Sequence, residues 1–336
     1  MLELVARLLA GLSPVLLFLA ALTYLDSYKL VRLQWILSTI LLGGVAAAIS
    51  YAVNSALIPQ LALDYATYSR YIAPIVEESA KALIVIYFIR FQKTGFLVDA
   101  SIIGFAAGAG FALIENAYYA KSVADAHITV WLIRGFGTAI MHGGTTTIFA
   151  IGSQLLSERK SPERILIFMP GLLAAIAIHS AFNHLFFNPM FSTLAIMLIF
   201  PLLIFIVFSK SESSLQSWLE VGFSGDTELL ELINSGRFSE SRIGKYLRSL
   251  RERFSGEVMA DLICYLRIHV ELSLRAKGIL IMREGGFDVG VDDETRAKLA
   301  ELKYLEKSIG IVGKLTLSPF LHFSGRELWQ LYMLGK

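Results

Sequence analysis

Eight side chains in the apolar first part of the sequence could act as acids, bases, metal ligands or charge-stabilising groups. They are Glu77, Glu78, Lys81, Glu115, Arg134, His142, His179 and Asn183. Inserting a charged residue at the centre of a membrane helix costs roughly 2.5 to 3.5 kcal/mol, so charged groups at membrane depth indicate a functional site. Carboxylates and imidazoles are suited to moving protons near neutral pH or to binding a metal ion. The sequence therefore predicts an acid–base or metal centre inside a membrane.

Helical spacing groups several of these side chains. Glu77 and Lys81 are four residues apart and share one helix face, and Glu78 precedes the lysine by three residues. Such a group can supply a general base, or it can be a buried ion pair that fixes the packing of helices. Glu115 has no basic residue within its own predicted span, so we expect its partner on another helix, where Arg134 and Lys81 are the candidates.

The two histidines at membrane depth can serve either as acid–base groups or as metal ligands. Asn183 follows His179 by four residues, so its amide could hold the imidazole or donate to an oxyanion. Two histidines and a carboxylate with an open fourth position would suit a catalytic zinc, with Glu78, His142 and His179 as the ligands. The helical His-Glu-x-x-His signature is absent from the sequence. The sequence thus leaves open whether the chemistry uses zinc or glutamate alone.

Seven apolar stretches must position these groups, and each is near the roughly 20 residues that a helix needs to cross the hydrocarbon. Hydrophobic residues make up 55% of the 336-residue chain, and charged residues make up only 17%. The sequence therefore predicts an all-α, polytopic membrane helix bundle with about seven transmembrane helices. The predicted spans are residues 8–25, 35–58, 71–89, 100–120, 128–156, 165–187 and 190–208.

Charge separates this membrane part from the tail of the chain. Only 22 of the 58 Lys, Arg, Asp and Glu residues lie in residues 1–208. We therefore predict a transmembrane domain over residues 1–208 and a soluble helical domain over residues 209–336. A net charge of +2, without a basic run interleaved with aromatic residues, argues against a nucleic-acid partner.

Within the tail, apolar spacing and glycines predict the ends of two helices. One helix is expected over residues 293–309, with Gly310 as its stop. A second is expected over residues 257–276, with Gly278 just beyond its end.

Basic residues in the loops orient the predicted spans, because such residues concentrate on the cytoplasmic side. With the amino terminus outside, the inner loops hold Lys29, Arg32, Arg90, Lys93, Arg159, Lys160 and Arg164, and the tail begins with Lys210. The outer segments hold only Arg7, Arg70 and Lys121. We therefore expect a multi-pass protein of the cell membrane with a cytoplasmic tail.

With this orientation, the ionisable groups of different spans fall at similar depths. At about 1.5 Å per residue, Glu77, Glu115 and His179 lie roughly 9, 8 and 12 Å below the outer ends of their spans. His142 lies about 12 Å deep if Arg134 marks the interface, and roughly 21 Å deep if the span begins at Ile128. The sequence therefore predicts one pocket near the extracytoplasmic face.

Four short motifs follow one another along these spans. They are Glu77-Glu78-x-x-Lys81, Phe111-x-x-x-Glu115-Asn116, Arg134 followed by His142-Gly-Gly-Thr, and His179-x-x-x-Asn183. The ordered set resembles the PrsW family of intramembrane proteases, which is similar to the CAAX prenyl endopeptidases and to related bacteriocin-processing membrane proteins. The resemblance covers residues 71–187. It departs from the pattern at Val76, where many relatives carry a third glutamate.

The resemblance implies an intramembrane endopeptidase. In that class, Glu77 and Glu78 would activate a water molecule together with His142, and His179 with Asn183 would stabilise the tetrahedral oxyanion. The implied substrate is a membrane-anchored protein, cut at or just outside the lipid bilayer, with anti-sigma factors as the type case. The supporting residues would be Lys81, Glu115 and Arg134.

Two other functions fit the same composition. A proton- or ion-coupled transporter also buries acidic and basic groups, but its pathway should continue through both leaflets, and the inner halves of these spans hold few ionisable residues. A catalytically silent membrane scaffold that binds a partner helix fits as well.

Overall fold

The computed structural model describes residues 2–122, 126–159, 164–184, 188–287, 289–321 and 325–335. Every regular element among these residues is helical, which confirms the prediction of an all-α protein. The chain divides into two compact units, Met1–Glu212 and Ser213–Lys336. The expected domain boundary at residue 208 falls inside a helix that contains residues of both units.

The first unit is built mainly from long apolar helices. A π-helical turn, Tyr68–Ile72, precedes the fourth helix, and a second one, Arg134–Ala139, joins the sixth to the seventh. The helices are α1 (Leu2–Tyr24), α2 (Leu33–Leu61), α3 (Tyr65–Thr67), α4 (Ala73–Arg90), α5 (Leu97–Ser122), α6 (Ile128–Ile133), α7 (Ile140–Arg159), α8 (Met169–Asn183) and α9 (Pro189–Asn234). A short 3-10 turn covers Ile165–Ile167. Helix α9 continues into the second unit, where another 3-10 turn covers Arg237–Glu240.

Helix α5 is the central element of this unit. It packs against α1, α2, α4 and α7. In its most apolar stretch, 83% of the residues are buried. A Cβ atom at Gly110 would lie 2.0 Å from the carbonyl oxygen of Ile40 in α2, and one at Gly108 would lie 2.2 Å from that of His142 in α7. Glycine therefore lets two neighbouring backbones touch α5, and the contact with α7 brings His142 within hydrogen-bond distance of Glu115.

Five helices among the described residues are long and apolar enough to cross a membrane: α1, α2, α5, α8 with its preceding turn, and α9. Two of the seven expected stretches are not among them. Residues 71–89 carry Glu77, Glu78 and Lys81, and residues 128–156 are interrupted by the π-helical turn. These two stretches carry many of the ionisable side chains that the sequence assigned to the site. The seven membrane spans remain a prediction. Lys160 and Phe187, which entered the expected topology, lie outside the described residues.

The second unit contains α10 (Arg242–Ser249), α11 (Gly256–Glu284), α12 (Asp293–Leu317) and α13 (Gly325–Leu334). Gly310 interrupts α12, with φ 64° and ψ −173°, as expected for a helix stop. The expected end of α11 before Gly278 was wrong, because the helix continues to Glu284. No atom lies within 4 Å of a Cβ placed on Gly278, so this glycine serves neither a turn nor a close approach.

Candidate active site

The carboxylate of Glu78 is held by three donors. Its Oε1 accepts hydrogen bonds from Lys81 Nζ over 2.6 Å, from His179 Nδ1 over 2.7 Å and from Thr145 Oγ1 over 3.2 Å. Glu78 is 2% exposed and Lys81 is fully buried. The lysine therefore pairs with Glu78, three residues away, rather than with Glu77 on the face predicted by four-residue spacing.

The partners of the two imidazoles determine which ring nitrogen carries the proton. A lysine ammonium can only donate, so Nδ1 of His142 accepts the hydrogen bond from Lys81 Nζ, which lies 3.0 Å away. The proton of the His142 ring is therefore on Nε2, which donates to Glu115 Oε2 over 3.0 Å. A carboxylate can only accept, so Nδ1 of His179 donates to Glu78. The lone pair of His179 Nε2 is left facing Glu77, whose Oε2 lies 3.8 Å away.

Glu115 pairs with a basic residue from outside its own helix. Arg134 Nη2 lies 3.4 Å from Glu115 Oε1, and the guanidinium stacks 3.9 Å from the ring centroid of Tyr119. Arg134 Nε donates to Asn116 Oδ1 over 2.9 Å, and Asn116 Nδ2 donates to the carbonyl oxygen of Gly11 over 2.8 Å. Helices α1 and α5 thereby fix the direction of the guanidinium. The prediction that Arg134 or Lys81 pairs with Glu115 is resolved in favour of Arg134.

Asn183 braces the end of α8 in this structure. Its Nδ2 donates to the carbonyl oxygen of Ser69 over 2.9 Å, and Ser180 Oγ donates to that of Arg70 over 2.6 Å. Both carbonyls belong to the π-helical turn before α4, so these bonds join α8 to the start of the helix that carries Glu77. The amide thus contacts the backbone rather than the imidazole of His179.

Several polar residues of the site were not singled out from the sequence. Asn54 Nδ2 donates to Glu77 Oε1 over 3.4 Å, and Tyr68 OH donates to Asn54 Oδ1 over 2.9 Å. Thr145 belongs to the His142-Gly-Gly-Thr motif, but no role was predicted for it, and its hydroxyl donates to Glu78. These side chains are uncharged, so the search for ionisable groups at membrane depth passed over them. An asparagine within an apolar span was the signal that could have found Asn54.

A cavity of about 720 Å³ opens beside these groups. Six of the eight predicted site residues line it, and Glu78 and Lys81 lie behind its wall. The lining site residues are Glu77, Glu115, Arg134, His142, His179 and Asn183. The cavity therefore brings two carboxylates, two imidazoles, a guanidinium and an amide to one space, which is the composition needed for acid–base chemistry on a bound substrate.

Among the described residues, Glu77, His142 and His179 form a group able to hold a metal ion. One ligand atom from each lies within 4.8 Å of the others. Two imidazoles and a carboxylate with an open fourth position match the donor set of catalytic zinc, and the hydrogen bond from His179 Nδ1 to Glu78 is the support that metal-bound histidines usually have. The carboxylate of this group is Glu77, whereas the sequence suggested Glu78.

The fold and this site together define a helical membrane protein with a carboxylate–histidine centre. The model of the PrsW family intramembrane metalloprotease matches residues 31–209, more than half of the chain. The chain belongs to this family, and it is a membrane-embedded peptide hydrolase. The family's description as metalloproteases agrees with the donor set of Glu77, His142 and His179. No curated protein and no solved structure matched the chain.

Proposed function

We propose that this protein cleaves a membrane-anchored protein near the extracytoplasmic face of the cell membrane. One observation supports this proposal above the others: two imidazoles and two carboxylates from four different helices line a single cavity. A packing role for the charges would need each group to be paired and closed off. Glu77 instead faces the cavity: it accepts a hydrogen bond from the uncharged Asn54, and its Oε2 lies 3.8 Å from His179 Nε2, beyond hydrogen-bond distance.

We assign the metal site to Glu77, His142 and His179. A bound divalent metal such as zinc would polarise the scissile carbonyl and lower the pKa of its water. Glu78 lies behind His179 and orients the ring, so we treat it as a positioning residue. Because Nε2 of His142 also faces Glu115, a metal held at that atom would take the place of the hydrogen bond between them.

Glu115 is the cavity carboxylate that remains to act as the general base. Glu77 belongs to the metal group, and Glu78 is occupied by three donors away from the cavity. Glu115 lies beside His142 and can take the proton of the attacking water, then pass it to the leaving amine.

Arg134 is the group that we place opposite the developing oxyanion. It is the cation that lines the cavity, and its guanidinium is already held by Asn116 and Tyr119, so little reorganisation is needed when negative charge forms. We favour it over Asn183 because the amide of Asn183 donates to the backbone of Ser69.

The helix ends that surround the cavity support an extracytoplasmic site. Cavity residues come from the C-terminal halves of α2, α5 and α8 and from the N-terminal half of α4. The basic residues Lys29, Arg32, Arg90 and Lys93 lie at the opposite ends of α2, α4 and α5, in the loops or in the last turn of α4. Because basic residues concentrate in cytoplasmic loops, we place the cavity towards the extracytoplasmic face, and seven spans would leave the tail in the cytoplasm.

The test is cleavage by the full-length protein in lipid nanodiscs. Single-span reporter proteins, including a membrane-anchored anti-sigma factor, would be incubated with the native chain and with Glu77→Gln, Glu115→Gln, His142→Ala and His179→Ala variants. Cleavage should fall by at least about 100-fold in each variant. The matched control is His127→Ala, since His127 caps α6 outside the cavity.

The same purified protein, reconstituted in parallel into liposomes, separates the alternative functions. Ion or solute flux across liposomes without cleavage would favour a transporter. Retention of reporters without cleavage or flux would favour a scaffold. Unchanged cleavage in all four variants would refute the assigned site.

A further inference from the structure

Positive charge is distributed unevenly over the second unit. Residues 213–336 contain 17 lysines and arginines and 17 aspartates and glutamates, so the unit is close to neutral. Residues 237–253 alone hold six of the basic residues and only two acidic ones. This segment comprises α10 and the residues on either side of it. A neutral unit with one basic segment attracts anions at a limited part of its surface.

The fold leaves several of these cations without an acidic partner. Helix α10 buries Gly244 and Leu247, and its charged side chains point outward. Four basic residues in and just after α10 are exposed and form no ion pair with any residue that the structure describes. They are Arg242, Lys245, Arg251 and Arg253, and we call them the basic cluster. Their charge is therefore available to a ligand outside the chain.

Exposed apolar side chains follow the kink in α12. Ile311, Val312 and Leu315 come directly after Gly310, and they are 81%, 66% and 66% exposed. Ile311 and Leu315 also line a surface groove of about 500 Å³, together with Lys307. Adjacent large apolar side chains on a surface mark a site of contact with protein or lipid.

The apolar residues and the basic cluster belong to neighbouring elements. Phe320 lies in the turn directly after α12, where its N–H donates to the carbonyl oxygen of Leu317. Its ring packs against that of Tyr246 in α10, with 5.2 Å between the centroids. Tyr246 follows Lys245 of the basic cluster in the sequence. The end of α12 therefore adjoins the basic helix within the second unit.

We propose that the second unit docks on the surface of an anionic lipid bilayer, with the basic cluster at the phospholipid headgroups and Ile311, Val312 and Leu315 in contact with the acyl chains. Protein elements that bind at a membrane interface combine these two features, since apolar burial and attraction to anionic lipid both contribute to binding. The combination of unpaired cations with exposed apolar side chains therefore favours lipid over an uncharged protein surface.

The covalent connection of the two units supports the same partner. Helix α9 begins as a candidate membrane span and continues into the second unit, so this unit is tethered to a bilayer. A tethered unit stays docked even when its own affinity for the surface is modest. In the proposed orientation, the tail lies on the side of the inner leaflet, which carries anionic lipid. The inference goes beyond the protease function and does not depend on its chemistry.

The experiment measures contact between the second unit and lipid in the full-length chain. Cys264→Ser removes the native cysteine. A dye is then attached through Ser318→Cys, beside the groove, or through Asp293→Cys, at the other end of α12, where the side chain is 96% exposed. Each nanodisc holds one chain, a nitroxide-labelled lipid that quenches the dye, and phosphatidylcholine with or without an equal part of phosphatidylglycerol.

Quenching should be strong at residue 318 in anionic nanodiscs and weak at residue 293. It should decrease without phosphatidylglycerol, and also when salt is raised from about 0.1 M to about 1 M, because salt screens the attraction. Equal quenching at the two positions, or quenching at residue 318 that ignores the lipid charge, would overturn the proposal. Shielding of the dye from water without quenching would show that protein covers this surface, and would also overturn it.

Substitutions test the two components of the docking surface. Arg242→Gln with Lys245→Gln should lower the ratio of docked to undocked second unit by about fivefold per residue. The control, Arg267→Gln with Arg296→Gln, removes the same charge from side chains that are already ion-paired, and should have a much smaller effect.

The apolar component has its own matched pair of variants. Ile311→Ser should weaken docking several-fold, because it removes an apolar side chain from lipid. Phe287→Ser is the control, since Phe287 is 67% exposed and lies outside α10 and α12. Native docking in both Ile311→Ser and the double variant of the basic cluster would refute this surface. Cleavage of reporters by a chain that does not dock would refute the docking proposal alone, and docking without cleavage would refute the protease proposal alone.

Discussion

His179 and Glu78 are joined by a hydrogen bond of 2.7 Å from Nδ1 to Oε1. The same carboxylate oxygen accepts from Lys81 over 2.6 Å. Glu78 therefore performs two tasks, since it orients an imidazole and neutralises a fully buried lysine. The first task concerns activity and the second concerns stability, so substitutions can separate them.

Glu78→Gln should impair both tasks. Breaking a buried ion pair costs about 3–5 kcal/mol because a charge is left unpaired, and we expect a decrease of that order in the free energy of unfolding. Adding Lys81→Met removes the unpaired charge and should restore most of the stability, while cleavage stays about 10- to 100-fold low because His179 is no longer oriented by a carboxylate and His142 loses the donor at its Nδ1. Thermal unfolding and reporter cleavage measure the two effects. A double variant with native activity would contradict the positioning role.

Arg134→Lys tests whether the guanidinium, rather than positive charge alone, is needed. Lysine keeps the charge but lacks the Nε–H that Asn116 accepts and the planar group that stacks on Tyr119. We expect kcat to fall by about 100-fold with little change in KM, since the role is confined to the transition state. Steady-state cleavage of one reporter measures both constants. A higher KM with native kcat would instead indicate a role in substrate binding.

Metal content gives a test that does not depend on a substrate. Glu77→Gln, His142→Ala and His179→Ala should each leave far less bound zinc after dialysis than the native chain retains. Glu78→Gln should weaken zinc affinity by roughly 10- to 100-fold, because it removes the group that orients a ligand. His127→Ala is the control. Elemental analysis measures the stoichiometry, and native zinc content in all three ligand variants would rule out this site.

The close approach of α2 to α5 can be tested with two glycines of the same unit. Gly110→Ala places a Cβ 2.0 Å from the carbonyl oxygen of Ile40, so the backbones must separate. We expect a loss of about 1–3 kcal/mol, as for other overpacked cores. Gly152→Ala is the control, since the nearest atom to its Cβ lies 3.6 Å away. Thermal unfolding should show a lower midpoint temperature for Gly110→Ala than for the native chain and for Gly152→Ala. Equal midpoint temperatures would contradict the close approach of α2 to α5.

Much of this architecture could be predicted from the sequence, because apolar stretches and buried charges carry strong physical signals. The all-α fold followed from such signals, the PrsW family followed from the resemblance of four ordered motifs, and Arg134 was one of the two partners expected for Glu115. The pairing of Lys81 did not follow from the sequence, since Glu77 and Glu78 both lie within reach of a lysine on the same helix. Only the position of His179 on α8 shows that Glu78 faces inward and Glu77 faces the cavity.

Other details depend on tertiary contacts that spacing does not report. The sequence assigned Asn183 to the face of His179, but carbonyl groups of the π-helical turn before α4 attract its amide. Gly278 was expected to end a helix, yet α11 continues through it, whereas Gly310 does interrupt α12. A glycine signals a helix end only where the chain adopts positive φ, and the sequence alone does not reveal that.

His269 is a titratable group buried in the second unit. It lies on α11 and is 3% exposed, and burial is the main reason that its pKa is lowered to about 4. Nearby lysines lower the pKa further, and nearby carboxylates oppose them. These charged neighbours are Lys277, Lys314, Asp226 and Glu306.

This burial makes the stability of the second unit depend on pH. Between the unfolded pKa of about 6.5 and the folded value of about 4, the unfolded chain binds more protons, so the free energy of unfolding decreases as the pH falls. His269→Gln should flatten that decrease, which is of order 3 kcal/mol for a shift of this size. Urea titrations at about pH 7 and about pH 4.5, followed with a dye on the exposed Cys264 of α11, measure the difference. Equal pH dependence in the native chain and in His269→Gln would show that another group is responsible.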